Sequence, residues 1–187
     1  MQITFTRTGL RTYESLATRG DGVTVRIPSP DRPTGMPHDL AHLIVERELG
    51  LGRGFWGCVA DGAMFPGMAI VFGRRAPRAG QRSRAVVREA GQQGTEAEVL
   101  VGTLLHVAER GLDASRSVVR EVLRDMWAPA RPARAPLGVE EVRRVCDALR
   151  EADRRWHALP VGSSLTLTWP ATTRRAGPRS GRRQRVV

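Results

Sequence analysis

Alternating apolar and polar residues indicate β-strands near the start of this chain. Ile3 and Phe5 alternate with polar neighbours, and so do Val23, Val25 and Ile27. A period of two is typical of a strand that buries one face and exposes the other. The pattern therefore predicts two strands within the first 27 residues.

Two further segments complete a predicted antiparallel sheet. Residues 12–18 form a plausible partner strand, and the Arg-Gly-Asp-Gly turn at 19–22 supplies the residues that a tight hairpin needs. Near the end of the chain, Leu165, Leu167 and Trp169 alternate with threonines. We therefore expect an N-terminal hairpin or meander plus one returning C-terminal strand.

Helical periodicity dominates the segments between these strands. One helix is expected over residues 37–49, because Pro37 suits its first position and Gly50 its end. Thr95 and Glu98 match a capping box, which places a helix start there, whereas residues 74–81 are interpreted as a loop. The other predictions are a short helix over 54–63, a strand-like or buried run at 68–72, a helix beginning after Asp113, and a helix over 139–156.

Strands at both ends and helices in the middle favour an α+β class. The predicted architecture is a small antiparallel sheet covered on one face by several helices. We expect one such domain over residues 1–170, followed by a disordered arginine-rich tail over 171–187. A length of 187 residues is enough for a substantial core.

Charge adds a second kind of information. The net charge is +11, and all 30 basic side chains are arginine. Without two arginine blocks the rest has 18 arginines against 19 acids, a net charge of −1. The tail block predicts binding to nucleic acid phosphates, although a coding bias toward arginine explains the composition equally well. The first block is Arg74, Arg75, Arg78, Arg82, Arg84 and Arg88, and the tail block is Arg174, Arg175, Arg179, Arg182, Arg183 and Arg185.

Several protein classes are disfavoured. Cys58 and Cys146 are too few for a disulfide framework and lack zinc-binding spacing. The N-terminus has no basic segment followed by an apolar run, and no uninterrupted apolar stretch is long enough to span a bilayer. We therefore expect a cytoplasmic protein of bacterial type without a membrane partner.

The segment 37–57 carries the strongest candidate chemistry. His38 and His42 lie four residues apart on the predicted helix, so both could ligate one metal ion, with Asp39 and Glu46 in supporting positions. The string His-Asp-Leu-Ala-His resembles the zinc metalloprotease motif HExxH, but aspartate is too short for the glutamate's role. Glu46 is expected beside His42 as an outer partner, and a third ligand must come from elsewhere.

The same residues have other interpretations. The polar side of the 37–49 helix could simply be its solvated face. The GxGxxG match at 52–57 could bind an anion through Arg53 and Gly54, or could only form a turn between two helices. Cys58 could be a nucleophile, or a buried and inert thiol.

No complete catalytic set is visible, so enzymatic activity stays open and no cofactor is identified. The sequence favours a non-enzymatic binding or regulatory protein. It would contact a macromolecular partner through the segment 37–57, which contains the helix and the glycine-rich loop. The alternative is a metal-binding protein or metal-dependent hydrolase that uses His38 and His42.

Overall fold

The computed structural model describes residues 1–28, 35–112, 117, 121 and 137–170. Apart from residues 117 and 121, the helix expected after Asp113 lies outside these residues, and so does the arginine tail over 171–187. The described part is an antiparallel sheet packed against four helices, which confirms the predicted α+β class.

The sheet has five strands in the order β4-β3-β2-β1-β5. The first three strands form a meander, and the predicted C-terminal strand pairs with β1. The strand-like or buried run expected at 68–72 is a strand at the edge of the sheet beside β3, and its residues are partly buried or exposed. The strands are β1 (Gln2–Arg7), β2 (Tyr13–Thr18), β3 (Thr24–Ile27), β4 (Ala69–Phe72) and β5 (Ser164–Thr168).

The two faces of the sheet differ in chemistry, as the alternation predicts. Ile3 and Phe5 are fully buried, whereas hydroxyl side chains face the other side. Cross-strand hydroxyl pairs join Thr4 to Thr166 at 3.0 Å and Thr6 to Ser164 at 2.8 Å. Such pairs stabilise neighbouring strands, so the sheet has one polar face and one face that needs helices to cover it.

Four described helices lie on the apolar face: α1 (His38–Leu49), α2 (Phe55–Ala60), α3 (Ala79–Glu109) and α4 (Val139–His157). The Trp56 ring of α2 meets Phe5 edge-on at 6.1 Å, and Trp156 of α4 meets Tyr13 at 5.9 Å. These contacts join helices and sheet in one core cluster. None of the described helices combines the length and apolar character needed to cross a membrane.

The expected start of α3 was wrong. The helix begins at Ala79, not at Thr95, and continues to Glu109 with a break at Gly91, whose φ of 45° and ψ of −125° are not helical. Thr95 therefore lies inside a helix and is not an N-cap. A Ser/Thr-x-x-Glu match reports only local spacing, and here the Glu98 side chain contacts another helix.

Candidate functional site

Helix α1 is the most enclosed element of the site. Every residue from 39 to 46 is buried, because α1 packs against α3, α4 and the core beneath. The expectation of a solvated polar face is therefore wrong: Asp39, His42 and Glu46 are 7%, 3% and 0% exposed.

Glu46 and His42 form a buried pair one turn apart on α1. Glu46 Oε1 lies 2.9 Å from His42 Nδ1, which is the contact expected from the sequence. A carboxylate can only accept, so Nδ1 carries the proton and donates it. The geometry thereby leaves Nε2 as the nitrogen that faces the pocket.

The same carboxylate holds the N-terminus of α2. The backbone N–H of Phe55 donates to Glu46 Oε1 at 2.8 Å, and that of Trp56 donates to Oε2 at 3.0 Å. Helix N-termini favour anions, and here the anion comes from the chain itself. The Glu46 carboxylate therefore occupies the expected anion site at Gly54, where it accepts hydrogen bonds from the N–H groups that a phosphate would use.

The glycine-rich loop is shaped by close packing. A Cβ atom on Gly54 would overlap the Glu46 carboxyl group, and one on Gly57 would overlap the carbonyl oxygen of Gly52. Only glycine allows these approaches. The loop is thus a turn between α1 and α2, which was the alternative left open beside phosphate binding.

Two other candidates near the loop have ordinary partners. The Arg53 guanidinium donates to Glu89 at 3.1 Å. The Cys58 thiol is buried and points to the carbonyl of Arg53, and burial raises its pKa to about 11. A thiol with such a pKa is a poor nucleophile at neutral pH, which favours the inert interpretation of Cys58.

Glu98 of α3 is the third side chain of a group that could hold a metal ion together with the two histidines. Glu98 Oε2 lies 3.2 Å from His42 Nε2, and the His38 and His42 rings are 4.7 Å apart between centroids. One ligand atom from each of these three residues lies within 4.8 Å of the others. The structure thus brings together the two predicted histidines and a glutamate from a distant part of the chain.

Sequence reasoning missed Glu98 because another role seemed to explain it. The residue was interpreted as half of a capping box with Thr95. Its position on the side of α3 that meets α1 depends on how two helices pack. No local spacing signals that contact.

The electrostatics of the site favour a cation. Burial alone lowers the pKa of His42, but its hydrogen bonds to Glu46 and Glu98 outweigh that effect and raise it to about 9. The hydrogen bond to His42 lowers the pKa of Glu98. Burial raises the pKa of Glu46, but the three hydrogen bonds that it accepts favour its ionised form.

The positive end of the α1 dipole disfavours a cation near the start of the helix, but its effective charge is smaller than that of a single carboxylate. A helix dipole contributes roughly half a unit charge at its N-terminus. Glu46 and Glu98 both contact His42, so in the metal-free protein the cation beside these acids is the protonated imidazole itself. A metal ion would have to displace the His42 proton, and the two acids would then face the metal ion, although the chain as a whole is strongly basic.

Asp39 occupies an unusual environment beside the histidines. It is buried, and neither of its carboxyl oxygens has a hydrogen bond within the described residues. Burial raises its pKa, and the nearby hydroxyls of Ser15 and Tyr13 oppose that effect. Its backbone carbonyl accepts the Trp56 indole N–H at 2.8 Å, so the residue also fixes α1 against α2.

A pocket of about 220 Å³ opens over this cluster. Its polar lining comes from Tyr13, His38, Asp39, His42 and Glu98, and no arginine is among the described residues that line it. The rest of the lining is apolar, and the stacked rings of Phe55 and Phe65 form one wall at 5.2 Å between centroids. The apolar lining residues are Ile27, Pro28, Phe55, Phe65, Pro66 and Met68.

Comparison with known proteins adds no relative. Neither a family model, nor a curated protein, nor a solved structure matches this chain.

Proposed function

We propose that this protein binds a divalent transition-metal ion between α1 and α3, with His38, His42 and Glu98 as ligands. The observation that carries the proposal is the orientation of His42. Glu46 fixes its Nδ1–H, and Nε2 faces Glu98. A carboxylate that orients a histidine in this way is the usual outer partner of a metal-binding imidazole.

The donor set selects a class of metal. Two imidazoles and one carboxylate suit zinc, cobalt, nickel or iron better than magnesium or calcium, which prefer oxygen ligands. Metal bonds of about 2.1 Å place tetrahedral ligand atoms about 3.4 Å apart. The 4.8 Å spread must therefore contract, and the 60% exposed Glu98 side chain has the freedom to move.

Three protein ligands leave at least one coordination position open toward the pocket. Water or a small ligand would occupy that position, as in metal sites that hydrolyse substrates. Hydrolysis would additionally need a base beside the bound water. Metal binding is therefore the proposal, and hydrolase activity stays a prediction from the sequence.

The test starts with protein purified without a histidine tag. We expect elemental analysis and titration calorimetry with Zn²⁺ and Co²⁺ to give about one ion per chain, and chelation to lower the thermal unfolding midpoint. Substitution Glu98→Gln should weaken binding at least tenfold, and it should fold normally because the side chain is exposed. His42→Ala should abolish binding.

The matched control is His157→Ala, which removes an exposed histidine on α4. This variant should bind metal like the unaltered protein. Absence of stoichiometric binding to any of these metals would refute the proposal. Equal affinities for the unaltered protein and Glu98→Gln would refute the assigned ligand set.

A further inference from the structure

A second feature of the structure is a strongly basic surface near the start of α3. Six arginines follow β4 and continue through the first turns of α3, and all six are exposed. None of them forms an ion pair with a residue that the structure describes. We call this group the arginine surface; its members are Arg74, Arg75, Arg78, Arg82, Arg84 and Arg88.

Three arginines of α4 differ from the arginine surface because they form ion pairs within their helix. Arg143, Arg150 and Arg154 each pair with an acid three residues earlier, at distances from 2.5 to 3.0 Å. Their charge is thus largely neutralised within the helix. The arginine surface has no such acids, because no Asp or Glu occurs between Asp61 and Glu89.

Two guanidinium groups of this surface lie near Gly80 at the start of α3. A Cβ placed on Gly80 would lie 3.4 Å from Arg75 Nη2 and 3.7 Å from Arg84 Nη1, so two cations border the same position. The first turn of α3 beneath them contains no acid, and the positive end of the helix dipole lies there too. This arrangement is unfavourable alone and becomes favourable when an anion neutralises it.

Exposed apolar side chains border the same surface. Phe72 at the edge strand is 71% exposed, Val71 beside it is 49% exposed, and Val87 of α3 is 41% exposed. Phe72 lies two residues before Arg74 in the chain, and surfaces that bind single-stranded nucleic acid combine exposed aromatic rings, on which bases stack, with basic side chains. A membrane surface would instead favour a continuous apolar helix face, which a single exposed valine on α3 does not provide.

We propose that the arginine surface binds the phosphate backbone of single-stranded nucleic acid, with Phe72 stacking on an unpaired base. The binding is largely independent of sequence, since guanidinium groups contact phosphates and one ring cannot read a base edge. Its residues differ from those of the predicted tail interaction and from the three proposed metal ligands.

Fluorescence anisotropy with labelled single-stranded oligonucleotides tests the proposal in the full-length chain. The variant replaces Arg75, Arg78 and Arg84 by glutamine. The control replaces Arg143, Arg150 and Arg154 by glutamine and removes the same charge. The tail is unchanged in both proteins, so its contribution cancels in the comparison.

We expect the first variant to lose at least tenfold in affinity at about 50 mM salt. The slope of log affinity against log salt should fall by about 2, since each phosphate contact on a single strand contributes roughly 0.7. The control should change little. Phe72→Ala should lower affinity for single strands roughly tenfold and leave duplex binding unchanged.

Two outcomes would overturn the proposal. Equal losses in the two triple variants would show that only net charge matters. Binding to vesicles containing phosphatidylserine that requires Arg75, Arg78 and Arg84, without binding to oligonucleotides, would assign the surface to a lipid partner.

Discussion

The carboxylate of Glu46 lies 2.9 Å from His42 Nδ1 and also accepts the N–H groups of Phe55 and Trp56. One fully buried side chain therefore orients the candidate metal ligand and holds the start of α2. Loss of this carboxylate would affect the pocket and the fold together.

Substitution Glu46→Ala should lower the free energy of unfolding by about 3 to 5 kcal/mol, because it leaves a buried imidazolium and two buried N–H groups without their partner. Urea denaturation of the metal-free protein measures this change. If the alanine variant does not fold, Glu46→Gln should fold with a smaller loss, and it should bind metal about 10 to 100-fold more weakly.

The control on the same helix is Glu48→Ala. Glu48 is partly exposed and contacts Arg47 and Arg144 at 3.5 Å, so its loss should amount to about 1 kcal/mol or less. Similar losses at positions 46 and 48 would contradict the structural role assigned to Glu46.

The glycines of the loop should differ in their tolerance of alanine. Gly54→Ala should destabilise the protein by about 1 to 3 kcal/mol or more, since the new methyl group would overlap Glu46. Gly52→Ala should change stability by less than about 0.5 kcal/mol, because a Cβ there meets nothing within 4 Å. Thermal and urea unfolding measure both effects, and equal values would argue against the packing explanation.

Stability of the metal-free protein should depend on pH through His42. The pKa of this residue is about 9 in the folded protein and 6.5 ordinarily, so folding favours its protonated form. The stabilisation is fully present below pH 6.5 and is lost as the pH rises through 9. Urea unfolding at a series of pH values in the presence of a chelator measures this decline.

The variant His42→Asn removes the titrating group while keeping a polar side chain. Its stability should vary less between pH 6.5 and 9 than that of the unaltered protein. Parallel pH profiles for the two proteins would show that His42 does not titrate as its contacts require.

Local pattern predicted much of the fold, and the residues explain why. Ile3 and Phe5 of β1 alternate because one sheet face is buried, and Val142, Val145 and Leu149 of α4 recur at helical spacing for the same reason. Local pattern gave the wrong start for α3. The spacing of Thr95 and Glu98 matches a helix cap, but both residues lie within a helix that begins at Ala79.

The sequence by itself determined the strands, most helix positions, and the placing of His38, His42 and Glu46 along one side of α1, since these follow from periodicities of two and 3.6 residues. Only the tertiary structure decided that this polar side is buried, that Glu46 reaches the start of α2, and that Glu98 approaches His42 from α3. Those contacts depend on how separate elements pack, and local spacing does not encode such long-range approaches.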